Sequence, residues 1–223
     1  MGTGLTECIV SGLLSVKGLK VLHVDRNGYY GAETASLSLQ NLFQKFRNGP
    51  VAGPLTETAA RDWNVDLVPK FIMACGNLVK ILLHCKVTHY LEFKSIDASY
   101  VYKDGKVHKI PTTMGEILSS GLLSFWDKRS FYNFLDFVQK YDETNPKTWK
   151  SGKRLDDWTS RDLFKAFSLA EYTKTFLSHA MALHLNDDFM DKPATETCEA
   201  IKLYVYSLLT YGNSPYIYPL YGL

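Results

Sequence analysis

The glycines at the start of the chain constrain its fold more than any other feature. Gly2 and Gly4 stand two residues apart, a spacing that lets the backbone bend sharply before a helix. Apolar residues then recur at helical spacing at Ile9, Val10, Leu13 and Leu14. Gly18 is a typical helix terminator, and the apolar run after it ends at Asp25. This order predicts a glycine turn, a helix and then a short strand over 20–25 that ends in an acid.

A glycine turn of this kind is typical of dinucleotide-binding folds. The first two glycines let backbone N–H groups approach a pyrophosphate, and a third lets the helix pack closely on the strand. Glu7 occupies the place of the third glycine, and its carboxylate would repel the pyrophosphate, whereas Asp25 keeps the acid that binds the ribose. Two interpretations stay open: a flavoenzyme, or a similar scaffold without cofactor in which Glu7 only stabilises its own helix. The substitution favours the second.

Composition narrows the classes of partner. The chain has 223 residues, 46% of them hydrophobic and 22% charged, which predicts a folded globular protein. Its net charge of +2 gives no broad electrostatic field, so we expect no nucleic-acid binding. The four cysteines, Cys8, Cys75, Cys85 and Cys198, have neither zinc-ligand nor disulfide-framework spacing, which fits a reducing cytoplasm and predicts no metal site. No apolar run approaches the roughly 20 residues of a membrane span.

Residue patterns predict a mixed fold, α/β followed by all-α. Helices are expected over 39–46 and 67–83, and strands over 90–93, 99–102 and 106–110, the last two joined as a hairpin. Beyond residue 111 the pattern becomes helical, over 114–120, 124–141, 160–167, 170–185 and 195–211. We therefore expect residues 1–111 and 212–223 to form domain I, incomplete at both ends, and residues 112–211 to form a helical domain II.

Long and irregular sequence blocks, in order along nearly the whole chain, resemble the N-terminal portion of the Rab GDP dissociation inhibitors. They are GTGLTEC (2–8), VLHVDRN (21–27), YYG (29–31), RDWNVDL (61–67), PKF (69–71) and SPYIYPLYG (214–222). The resemblance implies an FAD/NAD(P)-binding-like domain I, related to flavin monooxygenases but without bound cofactor, and an inserted helical domain II. It implies a non-catalytic cytoplasmic protein that holds GDP-bound prenylated Rab GTPases, slows GDP release and touches membranes transiently, through the Rab.

The resemblance also implies two sites. Tyr30 falls on a tyrosine of the family's Rab-binding platform, with Arg26, Asn27 and Tyr29 beside it, and Ser214 and Tyr216 fall near a loop that contacts the Rab–membrane system. The alternative for Tyr29 and Tyr30 is that they pack at the edge of the sheet. In domain II the family binds geranylgeranyl lipid between helices, and the candidate residues are Phe131, Phe134, Leu135, Val138, Phe176, Ala180 and Leu183. The alternative for these is an ordinary helical core.

Two other functions fit parts of the pattern. A Rab escort protein shares the scaffold and would present Rab to a geranylgeranyl transferase. An FAD-dependent oxidoreductase would use the glycine turn of Gly2 and Gly4 together with Asp25, and would be yellow when purified.

Overall fold

The fold mixes helices with short strands. The computed structural model describes residues 1–57, 63–103, 105–113, 116 and 123–222. Its α-helices are α1 Leu5–Val16, α2 Leu39–Arg47, α3 Asn77–His84, α4 Phe125–Lys140, α5 Ser160–Ala166, α6 Glu171–Thr175 and α7 Ala194–Tyr211. Its strands are β1 Ser36–Leu37, β2 Val65–Asp66, β3 Ile72–Met73, β4 Phe93–Ser95, β5 Tyr100–Lys103, β6 Lys106–Lys109 and β7 Tyr216–Pro219. The helix predicted over 114–120 falls almost wholly outside the described residues.

The chain divides into two compact units. The first unit contains Met1–Phe71, Leu82–Lys94 and Tyr218–Leu223, and the second contains Ile72–Ile81 and Ser95–Ile217. The hairpin of β5 and β6 therefore belongs to the same unit as the helices α4–α7, whereas the sequence pattern placed a boundary after it, at residue 111. The two units are described separately below.

In the first unit, the carboxylate of Asp66 joins β2 to two other segments. Strands β1 and β2 pair antiparallel, with Ser36 opposite Asp66. The hydroxyls of Ser36 and Tyr218 both donate hydrogen bonds to this carboxylate. The bond from Tyr218 raises the pKa of its own phenol to about 12. Gly222 has φ +78°, and a Cβ atom there would collide with the Ser36 side chain, so the position requires glycine. The segment 218–222 is thereby held against the β1–β2 pair.

Helix α1 begins and ends where the glycines predict, but none of its side chains is buried by the rest of the chain. Gly4 is its N-cap, and Gly18, at φ +79°, donates its N–H to Ser15 O at the other end. No residue of α1 is buried, and Leu13 is 47% exposed. The strand predicted over 20–25 was wrong for the described structure. A strand needs a neighbour to pair with, and the bond from Gly2 N–H to Val24 O is the one backbone hydrogen bond this segment makes among the described residues.

The helix predicted over 67–83 was also wrong over its first half. Strand β3 lies there instead and pairs antiparallel with β7, with Ile72 opposite Ile217. The three strands β3, β7 and β4 are neighbours in that order. A turn through Ala74 and Gly76 follows, and Ala74 N–H donates to Pro215 O at 2.8 Å. Helix α3 starts at Asn77 because the preceding residues are bonded to another strand.

The second unit is built around a core between α4, α5, α7 and the segment that follows α6. Ser124 and Thr159 cap α4 and α5, since each hydroxyl accepts a backbone N–H from the first turn. Helix α6 continues as a π-helix over Phe176–Met181, so the helix predicted to reach residue 185 ends earlier. The largest fully buried side chains of this core are Phe134, Phe164, Leu163, Leu177, Ile201 and Val138.

Candidate functional site

The loop that follows residue 25 is tied to the glycine turn by hydrogen bonds to Asp25. The backbone N–H and the side-chain amide of Asn27 donate to Asp25 Oδ1 at 2.7 and 2.9 Å, and the Thr3 hydroxyl donates to Oδ2 at 2.8 Å. The backbone bond from Asn27 and then the bond from Thr3 lower the pKa of Asp25. The carboxylate therefore stays ionised and fixes the start of the loop.

The far end of the same loop is fixed to Thr3 as well. Gly31 N–H donates to Thr3 O at 2.9 Å, and Thr3 itself is only 8% exposed. Gly31 has φ +90°, and a Cβ atom there would lie 2.9 Å from the Ala35 Cα atom, so another residue would be strained. Residues 26–30 are consequently held at both ends.

Within this loop the two tyrosines differ. Tyr29 is half-buried, its hydroxyl accepts a hydrogen bond from Lys45 Nζ at 2.7 Å, and that ammonium lies 5.3 Å from the ring centroid. Tyr30 is 73% exposed, and Arg26 is exposed while Asn27 is half-buried. A packing role therefore fits Tyr29, whose side chain contacts Lys45 of α2. It does not fit Tyr30, whose side chain is exposed. We define Arg26, Asn27, Tyr29 and Tyr30 as the tyrosine loop.

The glycine turn does not fit a dinucleotide cofactor. A Cβ atom at Gly4 would lie 2.7 Å from Glu7 Oε2, and one at Gly2 would lie 3.7 Å from Glu7 Cγ. The Glu7 side chain thus folds back over the turn, where a pyrophosphate would have to approach the backbone. Both oxygens of Asp25, the acid expected to bind a ribose, already accept hydrogen bonds from Thr3 and Asn27. Bulk and negative charge both oppose a flavin or nicotinamide dinucleotide here.

Ser214 and Tyr216 lie in the second unit, and their side chains are less exposed than that of Tyr30. Ser214 is 1% exposed, and its hydroxyl accepts the Tyr216 N–H at 3.3 Å. The Tyr216 ring meets Tyr204 edge to face, at 6.1 Å between centroids, and burial raises the pKa of both phenols. A partner reaches the Ser214 hydroxyl only if the segment moves, whereas the Tyr216 ring is half-buried and partly accessible.

Six of the seven lipid-site candidates come together in the core of the second unit. Phe131, Phe134, Val138 and Phe176 are at most 8% exposed, and Leu135 and Ala180 pack against them. The rings of Phe131 and Phe176 lie 6.1 Å apart. Leu183 is separate, since it is 50% exposed and has φ +61°. The candidates therefore form a filled core in this conformation, and a lipid chain needs some of their rings to move.

An open cavity lies beside this core, but it has little in common with the lipid candidates. Its volume is about 490 Å³, and Val138 is the one candidate that lines it. Its walls also include acidic side chains, among them Asp142, Glu143 and Asp156. Arg154 pairs with Glu143 and Asp156, so part of this acidic charge is compensated. Such a polar rim does not suit an isoprenoid.

Two residues that organise the tyrosine loop were not among the sequence candidates. Thr3 was visible only as the residue between two glycines. Its hydroxyl donates to Asp25 Oδ2 and also accepts the Gly31 N–H at 3.3 Å, so it joins both ends of the loop. Lys45 lies on α2, and no local pattern pairs it with Tyr29.

Among the described residues no group of three His, Cys, Asp or Glu side chains is placed to hold a metal ion. No helix of the described chain is long and apolar enough to cross a membrane.

Comparison with known proteins now identifies the family. Residues 1–223 match the family model described as "GDP dissociation inhibitor". The chain belongs to the GDP dissociation inhibitor family. It is also similar to the crystal structure of the Rab GDI from Plasmodium falciparum, with 47% sequence identity and a TM-score of 0.88. That match covers 100% of this chain and 52% of the other, so the chain spans about half the length of this relative.

Membership in the GDP dissociation inhibitor family confirms the resemblance inferred from the sequence blocks. The fold, with its mixed helix and sheet content, is that of the Plasmodium Rab GDI. Neither rival function, escort protein nor oxidoreductase, is favoured by these matches. The family is regulatory, which agrees with a glycine turn that does not fit a redox cofactor.

Proposed function

We propose that this chain supplies the Rab-binding platform of a Rab GDP dissociation inhibitor. Such a protein binds GDP-bound, prenylated Rab GTPases, slows GDP release, and withdraws them from membranes and returns them during vesicle traffic. Family membership and the 47% identity to a Rab GDI support this proposal. The observation that carries it is Tyr30, which is 73% exposed on a loop fixed at both ends.

The tyrosine loop has the chemistry of an interface hot spot. Tyrosine and arginine dominate binding energy at protein interfaces, and Tyr30 and Arg26 are both exposed here. Because Thr3 and Asp25 already order the loop, little conformational entropy is lost when a partner binds. A partner that binds the GDP form of a GTPase more tightly than the nucleotide-free form raises the affinity of the GTPase for GDP by the same factor, since the two equilibria are linked. No covalent step is needed, and we assign none.

The proposed lipid function belongs to the helical part of the chain. We assign residues 112–211 as a prenyl-binding domain II, inserted into an FAD/NAD(P)-binding-like domain I of residues 1–111 and 212–223. Burial of a geranylgeranyl tail contributes about 0.8 kcal/mol per methylene, which offsets much of the cost of leaving a bilayer. Phe131 and Phe176 meet at 6.1 Å in the closed core, so lipid entry between α4 and the π-helix has to separate these rings. We propose that the protein works in the cytoplasm and that its Rab cargo brings it to membranes transiently.

The platform is tested by release of a fluorescent GDP analogue from a prenylated Rab, with and without the 223-residue chain. We expect the chain to slow release, and Tyr30→Ala to weaken its affinity at least about 10-fold, or about 1.4 kcal/mol. Tyr90→Ala is the matched control, because Tyr90 is 87% exposed and lies outside the tyrosine loop.

Three results separate the possibilities. Unchanged GDP release with the unmodified chain contradicts the proposal. Equal loss with Tyr90→Ala shows that the effect does not depend on the tyrosine loop. Tighter binding of unprenylated than of prenylated Rab points to the escort function instead.

A further inference from the structure

The first turn of α4 presents two large aromatic side chains to water. Phe125 is 73% exposed and Trp126 is 72% exposed, and their rings meet edge to face with centroids 5.6 Å apart. Ser124 caps this turn, since its hydroxyl accepts the Asp127 N–H and donates to the Asp127 carboxylate at 2.6 Å. The pair therefore stands on a capped helix end with defined geometry.

The core does not need these two rings. The same helix places Phe131 and Phe134 in the core of the second unit, at 4% and 0% exposure. Phe125 and Trp126 lie on the other side of the helix, where a polar side chain would be the usual choice. An indole has an apolar body and a polar N–H group, and tryptophan is accordingly enriched where a membrane meets water.

Two basic residues follow the pair in the sequence of α4. Lys128 and Arg129 lie one turn further along α4, at the spacing that brings them next to Phe125. Arg129 is exposed, and its guanidinium has no ion-pair partner in the part of the chain that is described. The one acid of this turn, Asp127, is bonded to Ser124 at the positive end of the helix dipole. The surface thus combines apolar rings with the Arg129 cation, which complements lipid phosphates.

We infer that this surface, the α4 aromatic patch of Phe125, Trp126 and Arg129, contacts the surface of an anionic lipid bilayer. The two rings enter the headgroup layer and the Arg129 guanidinium meets the lipid phosphates. The contact is interfacial, because it is made by the exposed first turn of one helix. It is a property of the chain itself, so it holds without a Rab and does not depend on the platform function proposed above.

Co-sedimentation with vesicles tests the inference directly. The 223-residue chain is mixed with vesicles of phosphatidylcholine alone, or with about one third phosphatidylserine added to give a negative surface. We expect binding to the anionic vesicles and much less to the neutral ones. The double variant Phe125→Ser/Trp126→Ser is expected to lose more than about 10-fold in partitioning, since neither ring then leaves water. Arg129→Gln is expected to lose about 5-fold, because one basic residue near an anionic surface is worth about that factor.

A control and a second readout distinguish this contact from simple adsorption. Tyr90→Ser removes an aromatic ring of 87% exposure elsewhere in the chain and should leave vesicle binding unchanged. Lipids brominated on their acyl chains should quench the fluorescence of the bound protein. Trp126→Phe keeps a ring at this position and should keep most of the binding, but it should lose this quenching.

Several outcomes overturn the inference. One is a chain that binds neither vesicle; another is binding to anionic vesicles that the double variant retains. Binding without quenching by brominated lipid shows adsorption through another surface. Self-association in sedimentation velocity that disappears in the double variant, with no vesicle binding, assigns the α4 aromatic patch to a contact between copies instead.

Discussion

Replacing Phe134 by alanine tests whether the helical core is tightly packed. Phe134 is 0% exposed, and its ring lies 5.5 Å from the ring of Phe164 and 5.3 Å from that of Phe167, both nearly perpendicular. It is also one of the lipid-site candidates. The size of the stability loss therefore distinguishes a filled core from a loosely filled lipid pocket.

The expected magnitude follows from burial. Truncating a buried phenylalanine to alanine costs about 3–5 kcal/mol, because apolar area and packing are lost and a cavity remains. The two perpendicular ring contacts place Phe134 in the upper part of this range, since each such pair contributes about 0.5–1.5 kcal/mol beyond its area. We expect a loss near 4 kcal/mol, which is a large share of the roughly 5–15 kcal/mol that stabilises a typical protein.

Urea denaturation followed by the helical circular dichroism signal measures the loss. Phe125→Ala is the matched control, because it removes the same side chain from the same helix at a position that is 73% exposed. The control should change the free energy of unfolding by at most about 0.5 kcal/mol. A loss below about 1.5 kcal/mol for Phe134→Ala would refute the argument. It would mean that the space around this ring is already loosely filled.

Three further predictions concern other parts of the chain. The Glu116 carboxylate accepts the Thr112 N–H at 2.7 Å, and chiefly this bond lowers the pKa of Glu116 from 4.5 to about 2. The stability that the ionised carboxylate adds is therefore present above pH 4.5 and is lost as the pH falls toward 2. The difference in free energy of unfolding between the unmodified chain and Glu116→Gln, measured by denaturation, should vanish across that window. Iodoacetamide at about pH 8 should label exposed Cys85 long before Cys198, because burial raises the pKa of the Cys198 thiol to about 12; peptide mass spectrometry would show it. Leu13→Ser should leave stability within about 0.5 kcal/mol and lower light scattering at high concentration, because Leu13 is 47% exposed on α1.

Elements with strong local signals were predictable from the sequence. Helices α4, α5 and α7 have apolar stripes, α4 and α5 begin at hydroxyl caps, and the structure confirms all three. The hairpin of β5 and β6 was also correct, since its two runs flank a short turn with glycine.

Elements that depend on distant residues were not predictable. The periodicity between residues 67 and 83 fits a helix, but pairing with β7 converts its first half into β3. Residues 20–25 have the apolar composition of a strand, but no strand among the described residues pairs with them. In both cases the deciding hydrogen bonds come from outside the local window.

The candidate sites follow the same division. The exposure of Tyr30 agrees with its place in a loop between glycines, and the closeness of six lipid candidates follows from helical spacing. The support of Tyr29 by Lys45 and the burial of Ser214 depend on tertiary contacts, and no local pattern carries them.

Under the proposed function, a cofactor-type turn supports protein recognition by the tyrosine loop. In a dinucleotide site the glycines and the acid remain available to the ligand, whereas here Glu7 covers the turn and Thr3 and Asn27 occupy the Asp25 carboxylate. The hydrogen bonds that a ribose would take are made within the chain, and they order the loop. A loop ordered in advance loses little entropy on binding, so the proposed role of Tyr30 as an anchor gains from this order. The contacts that close the cofactor site are the same contacts that hold the tyrosine loop in place.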